Sequence, residues 1–183
     1  LRVRQAMNLA VDREGMVALL SGAAASARGK VMPGDPWWGA PSFNIRFDRG
    51  EARRLMQAAG YGPNRRLPLS VFVATSGGGQ MVPQPMNEAI QADLRDIWID
   101  VTFQIVDFVT ILNLMRAGAR DPAARGAHAI NIAIPSIEPT TGWIIYDSQL
   151  VNPRGVNWGY YNSPAVDAAL AEVRRSFDPA AQD

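Results

Sequence analysis

The sequence contains no cysteine, one histidine (His128) and one lysine (Lys30) among its 183 residues. Without cysteine there is no disulfide framework, no thiolate nucleophile and no cysteine-ligated zinc site. A single histidine cannot build a His-rich metal cluster, and a histidine-dependent triad would have to use His128 itself. Neither sign of charge dominates. Lys+Arg 18 against Asp+Glu 17 leaves a formal net charge of +1, which excludes a polybasic nucleic-acid arm and an acidic tail as main themes. No apolar run approaches the ~20 residues that a membrane-spanning helix needs. What is abundant is apolar residues, at 48%, and that argues against intrinsic disorder. The chain opens Leu1-Arg2-Val3 without Met and ends soon after Asp178-Pro179, so a piece of a longer protein is expected.

Periodicity organises the rest. Val3, Ala6, Met7, Ala10 and Val11 share one helical face, and Asp12 stands as N-cap to a second short helix that ends at Ser21-Gly22. Residues 23–47 lack periodicity and carry Pro33, Gly34, Pro36, Gly39 and Pro41 around Trp37-Trp38, which predicts a long irregular crossing. Asp48 and Glu51 form a capping-box pattern before Ala52, Leu55, Met56 and Ala59, with Gly60 placed as a left-handed C′ residue. Leu67–Ala74 reads as a strand covered on both faces, followed by a glycine turn at 75–80 and a helix from about Pro85 to Ile97. Ile99, Val101, Phe103 and Ile105 alternate as a second strand. Asp107 precedes a helix carrying Phe108, Ile111, Leu112 and Met115. A third strand has Ile130, Ile132 and Ile134 on one face and stops at Pro135. Residues 139–147 read as helical, and Ser163-Pro164 opens a last helix with Val166, Leu170 and Val173 inward. Strands separated by helices of these lengths predict an α/β fold with a mostly parallel or mixed sheet flanked by helices.

Catalytic patterns find little support. Gly77-Gly78-Gly79 has no G-x-G-x-x-G register, and Gly29-Lys30 is followed by Val31 instead of Ser or Thr, so a flexible hinge or ligand-adapting turn is the expectation. His128 shares strand parity with Ile130 and Ile132 and reads as a core or strand-end residue. No G-x-S-x-G elbow occurs. Asp12, Asp48, Asp107 and Asp178 stand at helix starts, and no acid/base carboxylate pair can be singled out. Neither catalytic residues nor a metal site is therefore assigned. Arg116, Arg120 and Arg125 are interrupted by Asp121 and read as a solvated loop, so no nucleic-acid partner is expected. Phe108, Trp143, Tyr146, Trp158, Tyr160 and Tyr161 follow predicted strands or lie in loops, where ligands gather in open α/β sheets. Packing beneath those loops is the alternative for each ring.

Four segments together resemble a known family. VRQAMNLAVDRE (Val3–Glu14), FDRGEARRLMQAAGY (Phe47–Tyr61), EAIQADL (Glu88–Leu94) and NWGYYNSPAVD (Asn157–Asp167) are similar, in order and spacing, to the extracytoplasmic solute-binding proteins of the oligopeptide, dipeptide and nickel type. The resemblance implies a periplasmic-binding-protein type II-like lobe. Residues 1–183 would form the C-terminal ligand-binding lobe of a bilobed, periplasmic protein that closes by a hinge and delivers a small solute to an ABC permease in the cytoplasmic membrane. Carried over position by position, Phe108 matches an aromatic that faces the cleft at the start of the helix after the second strand. Ser76 and Gln80 fall in the turn after the first strand, which reaches the ligand in some members. Pro135 and Ser136 fall at the cleft mouth, and Trp143 and Asn157 are carried over as further ligand-binding positions on a looser alignment. No cofactor is implied.

Two departures stand out. Where peptide-binding members place an acid that pairs with the ligand's α-amine, this chain has Pro135, and Glu138 matches a more peripheral acid. A buried ammonium needs a paired anion, which argues against a free peptide N-terminus as ligand. Trp98 stands where the family usually has Gly, so strain or a different helix end is expected there. The competing functional classes are an enzyme lobe, such as a hydrolase on the same scaffold, and a sensory ligand-binding domain.

Overall fold

A computed structural model describes residues 1–26, 45–124, 126–133 and 140–178 of the chain. Contacts divide these into two compact units, the first built from 1–26, 45–108 and 127–133, the second from 109–124, 126 and 140–178.

The first unit opens with helices α1 (Arg2–Ala10), α2 (Arg13–Leu19) and α3 (Arg49–Ala58). Asp12 caps α2 as predicted, its carboxylate accepting from the Gly15 N–H at 2.9 Å. Only half of the capping box at α3 forms. Asp48 accepts from the Glu51 N–H, but the Asp48 N–H donates to the Leu9 carbonyl, and Glu51 turns outward to pair with Arg54 at 2.6 Å. The Leu9 carbonyl thus occupies the N–H that the box would need. At the other end of α3 the Gly60 N–H bonds the Gln57 carbonyl and the Tyr61 N–H bonds that of Met56, with Gly60 at φ +84°. This is the paired C-terminal closure for which a residue without Cβ is suited.

Strand β1 (Leu67–Ala74), helix α4 (Pro83–Arg95), strand β2 (Ile99–Val106) and strand β3 (Ala129–Asn131) complete the unit. They form a parallel sheet of order β2-β1-β3, with Leu67 opposite Ile99 and Val71 opposite Ala129. β1 is central, which is why its second half is buried at both parities: Val71, Phe72, Val73 and Ala74 all lie inside. Helix α4 begins two residues before the expected Pro85 because Pro83 itself sits in its first turn, where a missing N–H costs nothing. The third strand is shorter than expected: it ends at Asn131, Ile132 and Ala133 follow it outside the strand, and Ile134 lies outside the described residues. Ala6, Leu9, Ala10, Ala52, Met56, Leu94, Ile97 and Ile99 join the alternating valines of the sheet in one core.

Trp98 adopts φ +67°, the left-handed conformation that its position demands. Its N–H bonds the Arg95 carbonyl and its own carbonyl accepts from Leu67, so the turn fixes the start of β1. The Trp98 side chain packs against the core, and that contact opposes backbone strain on the order of 1 kcal/mol.

The second unit holds α5 (Phe108–Ala117, whose first residue belongs to the first unit), α6 (Thr140–Tyr146) and α7 (Pro164–Val173). Ile111, Leu114 and Met115 bury the inner stripe of α5, and the Asn152 amide closes its C-terminus by donating to the Met115 and Arg116 carbonyls. Ser163 caps α7 and Pro164 fills its first position, as the sequence predicts.

Candidate functional site

The carboxyl ends of β1 and β2 and the first half of α4 enclose a cleft of about 170 Å³. Its walls come from strand alternation. Val73 of β1 and Phe103 and Ile105 of β2 project to the α4 side, and Pro83, Asn87 and Glu88 of α4 close the opposite wall. Ile105 is 64% exposed, an apolar residue left open at the rim. A depression outside the strand ends is where ligands collect in parallel α/β sheets.

The turn that leaves β1, expected from the sequence to be a flexible hinge or a ligand-adapting turn, stands beside this cleft and is held by contacts to other segments. The Ala133 N–H donates to the Gly78 carbonyl at 2.8 Å, and Gly78 is buried. Gly77 and Gly79 take φ +75° and +78°. A Cβ on Gly77 would come within 3.2 Å of the Phe108 ring, and one on Gly79 within 2.8 Å of the Ala133 Cβ. Glycine is needed here for close packing, so the turn is held as well as permitted.

A chain of amides secures the same corner. Asn87, 2% exposed, donates to the Gln80 Oε1 at 3.1 Å and the Pro83 carbonyl at 2.7 Å, and its Oδ1 accepts from the Asn131 amide at 2.6 Å. One side chain therefore joins the turn, the helix start and β3. Nearby, the Gln104 amide donates to the Ser70 hydroxyl, and Ser70 pairs in turn with His128. The Ser70 N–H donates to His128 Nδ1 at 2.9 Å while the His128 N–H donates to the Ser70 carbonyl. His128 is thus an exposed strand-end clamp, one of the two roles its parity predicts.

The expected site residues fall into three groups. Ser76, Gln80 and Phe108 meet at the carboxyl end of the first unit's sheet: Ser76 is exposed, Gln80 is tied to Asn87, and the Phe108 ring lies on Gly77. Trp143 and Asn157 converge on Asp147 in the second unit. Trp143 Nε1 donates to the Asp147 carboxylate at 2.7 Å, with Arg174 stacked 3.9 Å from its ring centroid, and the Asn157 amide donates to the Asp147 carbonyl at 3.1 Å. Asn157 is 1% exposed and also donates to, and accepts from, the Tyr161 backbone, so its amide is fully engaged within the chain. Pro135 and Ser136 lie outside the described residues, as does Glu138.

Sequence reasoning missed Asn87 and Glu88. The signal for Asn87 was an amide on the stripe that Ile90 and Leu94 define on α4, where a polar residue facing inward needs partners. Among the described residues no three histidine or acidic side chains converge to hold a metal ion.

Comparison with known proteins now places this architecture. Residues 1–135 match the family described as bacterial extracellular solute-binding proteins, family 5 Middle. The chain belongs to that family. Over 187 residues it is 29% identical to Protein XP55 of Streptomyces lividans, covering 97% of this chain and 32% of that protein. It superimposes on the dipeptide binding protein of Pseudoalteromonas sp. SM9913, solved in complex with Met-Leu, with a TM-score of 0.81 at 20% identity. That match covers 99% of this chain and 35% of the other. NikZ from Campylobacter jejuni, solved with Ni(L-His), gives a TM-score of 0.73 at 20% identity, covering 100% of this chain and 38% of that one. These solved structures share the fold of this family 5 chain, which spans about a third of the length of each of these relatives. Among the described residues no helix is long and apolar enough to cross a membrane.

Proposed function

We propose that this family 5 chain supplies one ligand-binding lobe of the solute receptor of an ABC importer, working outside the cytoplasm. In this reading a small organic solute is gripped between two lobes and passed unchanged to a permease in the cytoplasmic membrane. The observation that carries the reading is the corner at the carboxyl ends of β1 and β2. There a glycine turn held by Ala133 and by the Phe108 ring presents Ser76 beside a preformed apolar cleft, in a chain of this family.

Phe108, Ser76 and Gln80 are the ligand residues proposed in the first unit, and the family resemblance adds Pro135, Ser136 and Trp143 as further candidates. Asn157 supports the last of these through Asp147 and Tyr161. Aromatic faces and a few placed polar groups suit a receptor that orients a solute without reacting with it. The relatives solved with Met-Leu and with Ni(L-His) bind different solutes, so the fold alone does not select one.

Mass spectrometry of what co-purifies with the intact protein, followed by incubation with peptide and ester libraries, tests the proposal. Stoichiometric retention of an unaltered solute is expected. Turnover without retention would replace the receptor reading with that of an enzyme lobe.

A further inference from the structure

We infer that the cleft between β2 and α4 is a subsite for a cationic amine carrying a single apolar group of isobutyl to phenyl size. The inference rests on the receptor reading, because it names the chemical class of solute such a lobe would take. Volume comes first: about 170 Å³ is close to the ~150 Å³ of an apolar protein cavity that accommodates benzene. The walls at Val73, Ala74, Phe103, Ile105 and Pro83 are apolar, so the group that fills them gains by leaving water.

Charge then narrows the ligand. Among the described residues of the lining, Glu88 is the only ionisable group. The Gln84 amide one helical turn earlier donates to its Oε1 at 2.9 Å, which orients the carboxylate at the cleft's edge. The other polar wall cannot take over the role of ligand partner. Both amide hydrogens of Asn87 go to Gln80 and Pro83, and its oxygen accepts from Asn131. An anionic solute meets no cationic side chain in the lining and, beyond Asn87, only the Thr75 hydroxyl and the Gln84 amide as side-chain donors. The start of α4 offers few N–H groups because Pro83 and Pro85 carry none in the first turn. An apolar body with an ammonium group satisfies both the walls and the carboxylate.

The chain, labelled at its valine and isoleucine methyls, is titrated by NMR with phenethylamine, 2-phenylethanol and phenylacetate. All three carry the same ring and differ in charge. Phenethylamine is expected to shift the Val73 and Ile105 methyls with an affinity roughly fivefold above that of the alcohol, phenylacetate being weakest. Glu88→Gln, at an exposed position, should leave amine and alcohol binding alike, and Ile105→Ala should weaken both by lowering the wall. Equal binding of amine and alcohol to the unaltered chain overturns the inference. So does an amine preference that survives Glu88→Gln, or the absence of any response at Val73 and Ile105. Failure of the receptor reading would appear separately, in the intact protein, as turnover without a retained solute.

Discussion

Asp93 on α4 holds Arg49 on α3 by a 2.7 Å contact between carboxylate and guanidinium. Its second oxygen accepts the Asp12 N–H at 2.9 Å, so one largely buried carboxylate joins the start of α2 to both helices. The same contact holds the Arg49 guanidinium above its ordinary pKa, against partial desolvation. Asp93→Ala should lower stability by about 2 kcal/mol, the cost of leaving two donors without their charged acceptor. Urea denaturation reads the loss, and an unchanged midpoint would show that the staple is merely decorative.

Asn87→Ala should cost about 2–3 kcal/mol, because the Asn131 amide and the Gln80 oxygen lose a buried partner together. Asn87→Asp tests the same network more finely. It keeps the acceptor for Asn131 but removes the donor to Gln80 and Pro83, so hydrogen exchange should quicken in residues 75–80 more than at β3.

Acid should weaken the fold through four carboxylates. Asp48 is held below the ordinary carboxylate range by the Glu51 N–H and then by Arg46, and Glu51 by Arg54. Asp100 is held down by Arg66, and Asp167 by the Ser148 N–H and hydroxyl. A depressed folded-state pKa contributes stability that is complete above the unfolded value and vanishes as pH falls through the folded one. The urea midpoint should therefore be flat above pH ~5 and decline below ~4. A midpoint that rises on acidification would contradict these assignments.

Phe108→Ala in the intact protein should weaken solute binding by ~1–3 kcal/mol if its ring stacks on the ligand. The ring also covers Gly77, so the measurement needs a companion. Phe108→Leu keeps apolar cover over the turn but removes the aromatic face. Calorimetry showing native affinity in the Leu variant and a deficit only in the Ala variant would reduce Phe108 to a packing residue.

The elements were legible because their signals are local. Asp12, Gly60 and Ser163 mark helix ends by chemistry confined to one turn, and the alternation predicted for β2 holds at Ile99 and Val101 and fades toward Ile105, which is exposed. Trp98 was legible as an anomaly with two outcomes, strain or a different helix end, and it takes the left-handed conformation, the first of them. The reciprocal half of the Asp48–Glu51 box was not legible, since the Leu9 carbonyl that displaces it lies 39 residues away in the chain. The site was harder to read for the same reason. Asn87 acquires its meaning from Gln80 on one side and Asn131 on the other, and Gly77–Gly79 looked loose because glycine alone reports freedom, while Ala133 and Phe108 supply the restraint.

Gly79 faces Ala133, the last described residue before Pro135 and Ser136. A methyl group there would collide with the backbone that leads into those two positions. A residue without a side chain thus sets how closely two separate stretches of main chain can approach, and any replacement would be felt as displacement of the backbone instead of a lost contact.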